Sequence, residues 1–184
     1  MHGARIAQFE DNPMIRSFEG RAPQIGPDVF VADSALVLGE VRIGAQSSVW
    51  YHTVVRGDVH SISIGARTNL QDHCVVHVTT DLHATAIGDD VTVGHGAIVH
   101  GCRVGDRTLI GIGAILMDGV EVGEGCVVAA GSLLPPGKIF PARSLIVGYP
   151  AQVKRPVTED EARWILGSAE TYVALARRHA ASHA

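Results

Sequence analysis

The sequence predicts a parallel β-helix of about six stacked triangular coils, followed by a C-terminal α-helix. Three observations predict it: an aliphatic residue recurs every six positions, glycine often follows it directly, and a small residue often stands four places on. The aliphatic frame runs Ile25, Val31, Val37, Ile43, Val49, Val55, resumes at Ile64, Leu70, Val76, and again at Ile87, Val93, Val99. It then runs unbroken from Val104 through Ile110, Leu116, Val122 and Val128 to Leu134. Ile-Gly pairs fall at 25–26, 43–44, 64–65, 87–88 and 110–111, and the small residues include Ala35, Ser47, Thr53, Cys74, Ala97, Ala114 and Ser132.

A six-residue period does not fit the 3.6-residue turn of an α-helix. It suits short strands joined by tight corners, the aliphatic turned inward and glycine serving the corner's backbone. Three hexads close one triangular coil, and coils stack by parallel pairing. The frame breaks after Val55, Val76 and Val99. Each break reads as the end of a coil. A meander of hairpins would need two-residue turns and strict alternation, and neither is present.

Composition agrees. The 184 residues are 46% hydrophobic but only 5% aromatic, with 21 glycines, which suits regular layers of small and β-branched side chains in one domain. The net charge of −4 and the presence of only two lysines exclude a basic stripe for nucleic acid or an anionic membrane. The N-terminal stretch lacks the basic-then-apolar layout of a signal peptide, and no apolar run reaches the ~20 residues that span a bilayer. Cys74, Cys102 and Cys126 form an odd set without zinc-site spacing, as expected of reduced, buried thiols in a cytoplasmic protein.

Residues 1–20 read as an N-terminal arm, 21–150 as the β-helix and 151–184 as a C-terminal helix packing on it. Thr158 and Glu161 form a capping box, acids fill the first turn and basic residues the last. Ile165, Ala169, Tyr172, Val173 and Ala176 share one face, which would pack on the coils or on a neighbouring chain.

Chemistry enters through the histidines. His77 follows Val76 and His100 follows Val99, so the two stand on the third face of successive coils, about 4.8 Å apart along the stack. That spacing lets both imidazoles reach one metal ion. His95 lies two places after Val93, on the second face, and the five-residue run to His100 spans up to ~16 Å with a corner between. It could meet such a pair only on a neighbouring chain. A cyclic trimer is the simplest closed assembly that offers the contact. Arg56 and Asp58 of "RGD" fall one coil below His77, and Gln71 shares a frame position with Arg56, His77 and His100. Asp72 follows Gln71 directly, and an Arg56–Asp72 ion pair across the trimer interface would satisfy both charges.

On "RGD" at 56–58, "NLQDHCVVH" at 69–77 and "GHGAIVHGC" at 94–102, the chain resembles the γ-class carbonic anhydrases and their bacterial relatives. The resemblance covers roughly residues 20–175. It implies a left-handed β-helix and a homotrimer holding zinc, iron or cobalt at each interface. His77 and His100 would come from one chain and His95 from the next. It further implies that Arg56 and Asp72 form the intersubunit pair with Asp58 in its network, and that Gln71 orients a metal-bound hydroxide. Asn69 lies where the family has a site asparagine, and Tyr172 is similar to a tyrosine brought in from the C-terminal helix.

The implied activity is reversible hydration of carbon dioxide to bicarbonate. One departure concerns proton export. Val59 stands where the family's fast members carry a glutamate, and the acidic loop is reduced to "VTTDLHATA", with Asp81 and His83. Slow turnover is therefore expected. The rival readings are a metal-dependent thioesterase or amide hydrolase on the same site, a hexapeptide-repeat acyl-CoA acyltransferase that needs no metal, and a non-catalytic trimeric scaffold.

Overall fold

A computed structural model describes residues 12–182, so residues 1–11 of the expected arm lie outside the described residues. The chain winds as a parallel β-solenoid. On the second face the strands Phe30–Val31, Ser48–Val49, Asn69–Leu70, Thr92–Val93, Leu109–Ile110, Val127–Val128 and Ser144–Gly148 lie side by side. Ala151–Pro156 then doubles back antiparallel on the last of them. Each parallel strand of that face marks one coil, giving seven where the aliphatic frame grouped into about six. The seventh keeps the same period: Phe140 stands opposite Val122 and Ile146 opposite Val128. An aromatic ring fills the inward position there, which an aliphatic frame does not register. At the other end Ile15–Arg16, within the expected arm, adds a parallel strand with Ile15 opposite Val37.

The inward aliphatics stack in register. Down the third face Val37, Val55, Val76, Val99, Leu116 and Leu134 are each 0% exposed. Burying each such side chain is worth about 1.5–3 kcal/mol, so the column is a main source of stability.

The glycines after the inward aliphatics serve the stacking and not the corner. An added Cβ at Gly44 would lie 2.6 Å from the Ala66 nitrogen, and one at Gly111 would lie 2.5 Å from the Ala130 nitrogen. Coils press so closely here that only hydrogen fits. Corner residues take up the left-handed backbone instead, many without being glycine: Gln46, Arg67 and Asp90 at one corner, His52 and His73 at the next.

The outsides of the three faces differ. The first carries Gln24, Arg42, Ser63, Ala86, Arg103 and Glu121 in register. The second lies under the helix Glu159–Ser182. The third carries an uncovered aliphatic ladder in which Val54, Val75, Ile98, Ile115 and Leu133 pair successively across strands.

Helix capping is as expected. Glu161 Oε2 accepts from the Thr158 backbone N–H at 2.8 Å, and Thr158 Oγ1 accepts from the Glu161 N–H at 3.2 Å. Ile165, Ala169 and Ala176 are buried against the chain's own second face, and Tyr172 packs edge-on against Trp50 at 5.5 Å. Val173 is only half-buried. Among the described residues no helix is long and apolar enough to cross a membrane.

Gly111 and Gly113 separate the two uses of glycine. Gly113 has φ +66° with open space around its missing Cβ, and His52 and His73 hold the equivalent corner position in other coils. Gly113→Ala should cost about 1 kcal/mol, whereas Gly111→Ala forces backbones apart and should cost about 3 kcal/mol or more. Denaturant unfolding of both variants checks the order.

Candidate active site

The third face ends at the corner where the six-residue frame breaks, and the breaks leave room for polar groups. His77 and His100 pair in register on adjacent strands. Their ring centroids are 5.1 Å apart, and His77 Nδ1 lies 3.1 Å from His100 Nε2. Each ring's other nitrogen meets a carboxylate: His77 Nε2 at 3.1 Å from Asp58 Oδ1, and His100 Nδ1 at 2.6 Å from Asp118 Oδ1. Asp58 also binds Arg56, and Asp118 accepts from the Thr79 hydroxyl at 2.7 Å.

A carboxylate only accepts, so the nitrogens facing Asp58 and Asp118 carry the ring protons. Burial raises both acids, but hydrogen bonds outweigh it, from His77 and Arg56 at Asp58 and from Thr79 and His100 at Asp118. Both acids therefore sit below the ordinary carboxylate value. Burial, helped by the Arg56 charge, lowers His77, which favours its neutral form. With the ring protons on the far nitrogens, His77 Nδ1 and His100 Nε2 face each other at 3.1 Å, a contact that a shared proton or a metal ion between them would satisfy. Two imidazole nitrogens facing each other at 3.1 Å could both donate to one zinc ion. The donor set fits, and carboxylates behind the rings are the usual means of orienting metal-binding imidazoles.

His95 stands at the opposite edge of the third face. Its Nδ1 is 2.8 Å from Asp72 Oδ2, leaving Nε2 unengaged by that carboxylate on a side chain 45% exposed. Asp72 also accepts from the Tyr51 N–H at 3.2 Å, and Tyr172 lies close enough for the Asp72 charge, after burial, to raise its phenol. Gln71 Oε1 accepts from the His95 N–H at 3.2 Å, and Gln71 Nε2 donates to Asn69 Oδ1 at 3.4 Å.

The residues singled out in the sequence thus form two groups. Arg56, Asp58, His77 and His100 gather at one edge; Asn69, Gln71, Asp72, His95 and Tyr172 gather at the other. Gln71 shares a hexad position with the histidine pair but stands on a different face, and so joins His95. Within one chain Arg56 pairs with Asp58, and Asp72 with His95. Among the described residues no three potential ligands converge. Sequence reasoning missed Asp118, Thr79, Thr92 and Ser168. Asp118 had a signal, since Val99 pairs with Leu116 one coil on, which puts Met117 beneath His100 and Asp118 directly after it. Of the two candidate proton carriers, Asp81 is exposed, whereas His83 lies against Gly101 beside Asp118.

Stacked hexad coils carrying three carboxylate-backed imidazoles define a hexapeptide-repeat protein. The family described as "Bacterial transferase hexapeptide (six repeats)" matches residues 101–136, and "Hexapeptide repeat of succinyl-transferase" matches 84–107. Gamma carbonic anhydrase 1, mitochondrial, of Arabidopsis thaliana is 46% identical over 89% of this chain, which spans 62% of that relative's length. The carbonic anhydrase of Geobacillus kaustophilus is 42% identical over 82% of each protein. The crystal structure of a Bacillus cereus protein provisionally described as an acetyltransferase superposes with a TM-score of 0.90 at 38% identity, covering 92% of this chain and 98% of that one. The chain belongs to the γ-carbonic-anhydrase family of hexapeptide-repeat proteins.

The cysteines take no part in this chemistry. Cys74, Cys102 and Cys126 are free thiols at 0%, 1% and 0% exposure. Burial pushes Cys74 and Cys102 up to about 12 and raises Cys126 as well, so little nucleophilic thiolate forms near neutral pH. An aromatic disulfide reagent at pH 8 should label none of the three in the folded protein and all three in denaturant.

Proposed function

We propose that the protein is a metal-dependent carbonic anhydrase-like lyase that hydrates carbon dioxide reversibly to bicarbonate at sites shared between the subunits of a homotrimer. One observation carries this reading: the His77–His100 pair and His95, each ring backed by a carboxylate, stand at opposite edges of one bare aliphatic face. The ladder Val54, Val75, Ile98, Ile115 and Leu133 is the apolar surface that association would bury. Packed head to tail around a threefold axis, the His77–His100 edge of one chain would meet the His95 edge of the next. Arg56 and Asp72 would meet at the same joint, adding a pair across subunits to the bonds each makes within its own chain.

Zinc, or iron or cobalt, suits three imidazole donors with an open position. When bound it would supply Lewis acidity and make a coordinated water nucleophilic near neutral pH. The chain's own residues do the remainder. Asp58, Asp118 and Asp72 hold the three imidazoles in the required tautomer. Gln71, 6% exposed, keeps one amide hydrogen and one lone pair beyond its bonds to Asn69 and His95, and these would orient the attacking oxygen. Asn69 supports that amide, and Tyr172 closes the site from the helix. His83, beside Asp118, would carry the proton outward to Asp81 and solvent. Val59 contributes no carboxylate to that route. Three free cysteines support a reducing, cytoplasmic setting.

A second reading, acyl transfer or thioester hydrolysis, is favoured by an apolar groove of about 400 Å³ between the helix and the second face. Leu109, Ile112, Val127 and Trp164 line it, and it opens on His95 and Gln71. Metal content separates metal-free acyl transfer from hydration, and acyl-CoA turnover by metal-loaded protein separates hydrolysis from it.

Light scattering should give a trimer, and Ile98→Glu should dissociate it. His95→Ala and His100→Ala should each lose bound metal while the coils stay folded. Subunits of the two variants, unfolded together and refolded, should recover metal and activity, because some joints then combine an intact pair with an intact His95. No recovery on mixing, or a full equivalent of metal in either variant, would overturn the shared site.

Hydration should be measurable, slow and accelerated by imidazole buffers, because proton export is thinly provided. Stopped-flow turnover that stays flat with buffer concentration would show another step to be limiting.

A further inference from the structure

We infer that Thr92 and Ser168 are positioning residues for Gln71: a hydrogen-bond chain from the C-terminal helix fixes which end of the Gln71 amide faces His95. The inference rests on the carbonic anhydrase-like reading for its kinetic consequence, though not for its geometry.

A primary amide has a donating and an accepting end of nearly equal shape, so sterics alone do not choose between its two orientations. Here a polarised chain chooses. The His95 N–H donates to Gln71 Oε1 at 3.2 Å, Gln71 Nε2 donates to Asn69 Oδ1 at 3.4 Å, and Asn69 Nδ2 donates to Thr92 Oγ1 at 2.9 Å. Thr92 Oγ1 in turn lies 3.2 Å from Ser168 Oγ on the helix. Having accepted from Asn69, the Thr92 hydroxyl has its own hydrogen left to donate to Ser168. Asn69, Thr92 and Gln71 are 1%, 3% and 6% exposed, so water does not readily replace a missing partner.

Remove the Thr92 hydroxyl, and the Asn69 amide keeps only the Val91 carbonyl at 3.5 Å on that side. If Asn69 then turns over, its Nδ2 faces Gln71 Nε2, donor against donor. Gln71 must either abandon Asn69 or turn over itself and set its NH₂ against the His95 N–H. Either way the amide no longer has one favoured orientation. The helix thereby acts on the site through a hydroxyl relay, without touching substrate.

The test compares Thr92→Val, which keeps the β-branched shape, with Thr92→Ser, which keeps the hydroxyl, and with Ser168→Ala on the helix. Two readouts are taken on metal-loaded full-length protein. One is the Gln71 side-chain amide pair by NMR, assigned by its loss in Gln71→Glu; the other is the kcat and KM for carbon dioxide. In Thr92→Val the amide pair should broaden and exchange faster, and kcat should fall roughly tenfold with KM nearly unchanged, as for a lost orienting donor. Thr92→Ser should restore both, and Ser168→Ala should show a smaller loss of the same kind. Unaltered amide signals in both Thr92→Val and Ser168→Ala would overturn the inference, as would equal losses in Thr92→Ser and Thr92→Val. If wild-type protein hydrates no carbon dioxide, the proposed function falls, while the amide signals still decide the positioning claim.

Discussion

The structure depends on one distance, the spacing of about 4.8 Å between strands in successive coils. Backbones held that close leave no room for a Cβ where glycine follows an inward aliphatic, as the contacts at Gly44 and Gly111 show. The same spacing converts a linear repeat into vertical columns, so that residues one coil apart become neighbours. Inward columns are filled by aliphatics and one by Phe140. Corner columns take left-handed residues and ladders such as Arg67–Asp90. His77 meets His100 because both occupy one column, and a single residue of slip would part them.

Placing two imidazoles in one column creates an electrostatic problem that the flanking acids define. Asp58 and Asp118 each draw a ring proton to the far side, which turns the unprotonated nitrogens toward one another. The third ring, on His95, is held in the same manner by Asp72. Three rings backed alike stand at two edges of one face, and among the described residues no three potential ligands converge within the chain. The aliphatic ladder runs between those two edges.

Periodic features were legible in the sequence, because each coil repeats the same physical demand. The frame from Ile25 to Leu134, the capping box at Thr158 and the stacking of His77 on His100 all follow from spacing. What escaped were partners contributed by other columns. Asp118 reaches His100, and Thr79 reaches Asp118, from corners that the frame does not mark, and Ser168 reaches Thr92 from a helix 76 residues away. Hexad position is also ambiguous about direction. Gln71 and His77 occupy equivalent places yet project from different faces, so Gln71 joins His95 and His77 joins His100.

The doubled-back strand Ala151–Pro156 has a consequence for the molecule's behaviour in a crowded cell. A stack of parallel coils ends in a row of unpaired backbone groups, an open template on which another molecule could add a coil. Here the last strand of the second sheet is paired antiparallel within its own chain, and the covering strand exposes Lys154 and Arg155 and ends in Pro156. Its direction, charge and missing N–H all oppose further addition. Addition of a further coil is thereby opposed on the second face at this end of the stack, which guards that edge against fibre growth.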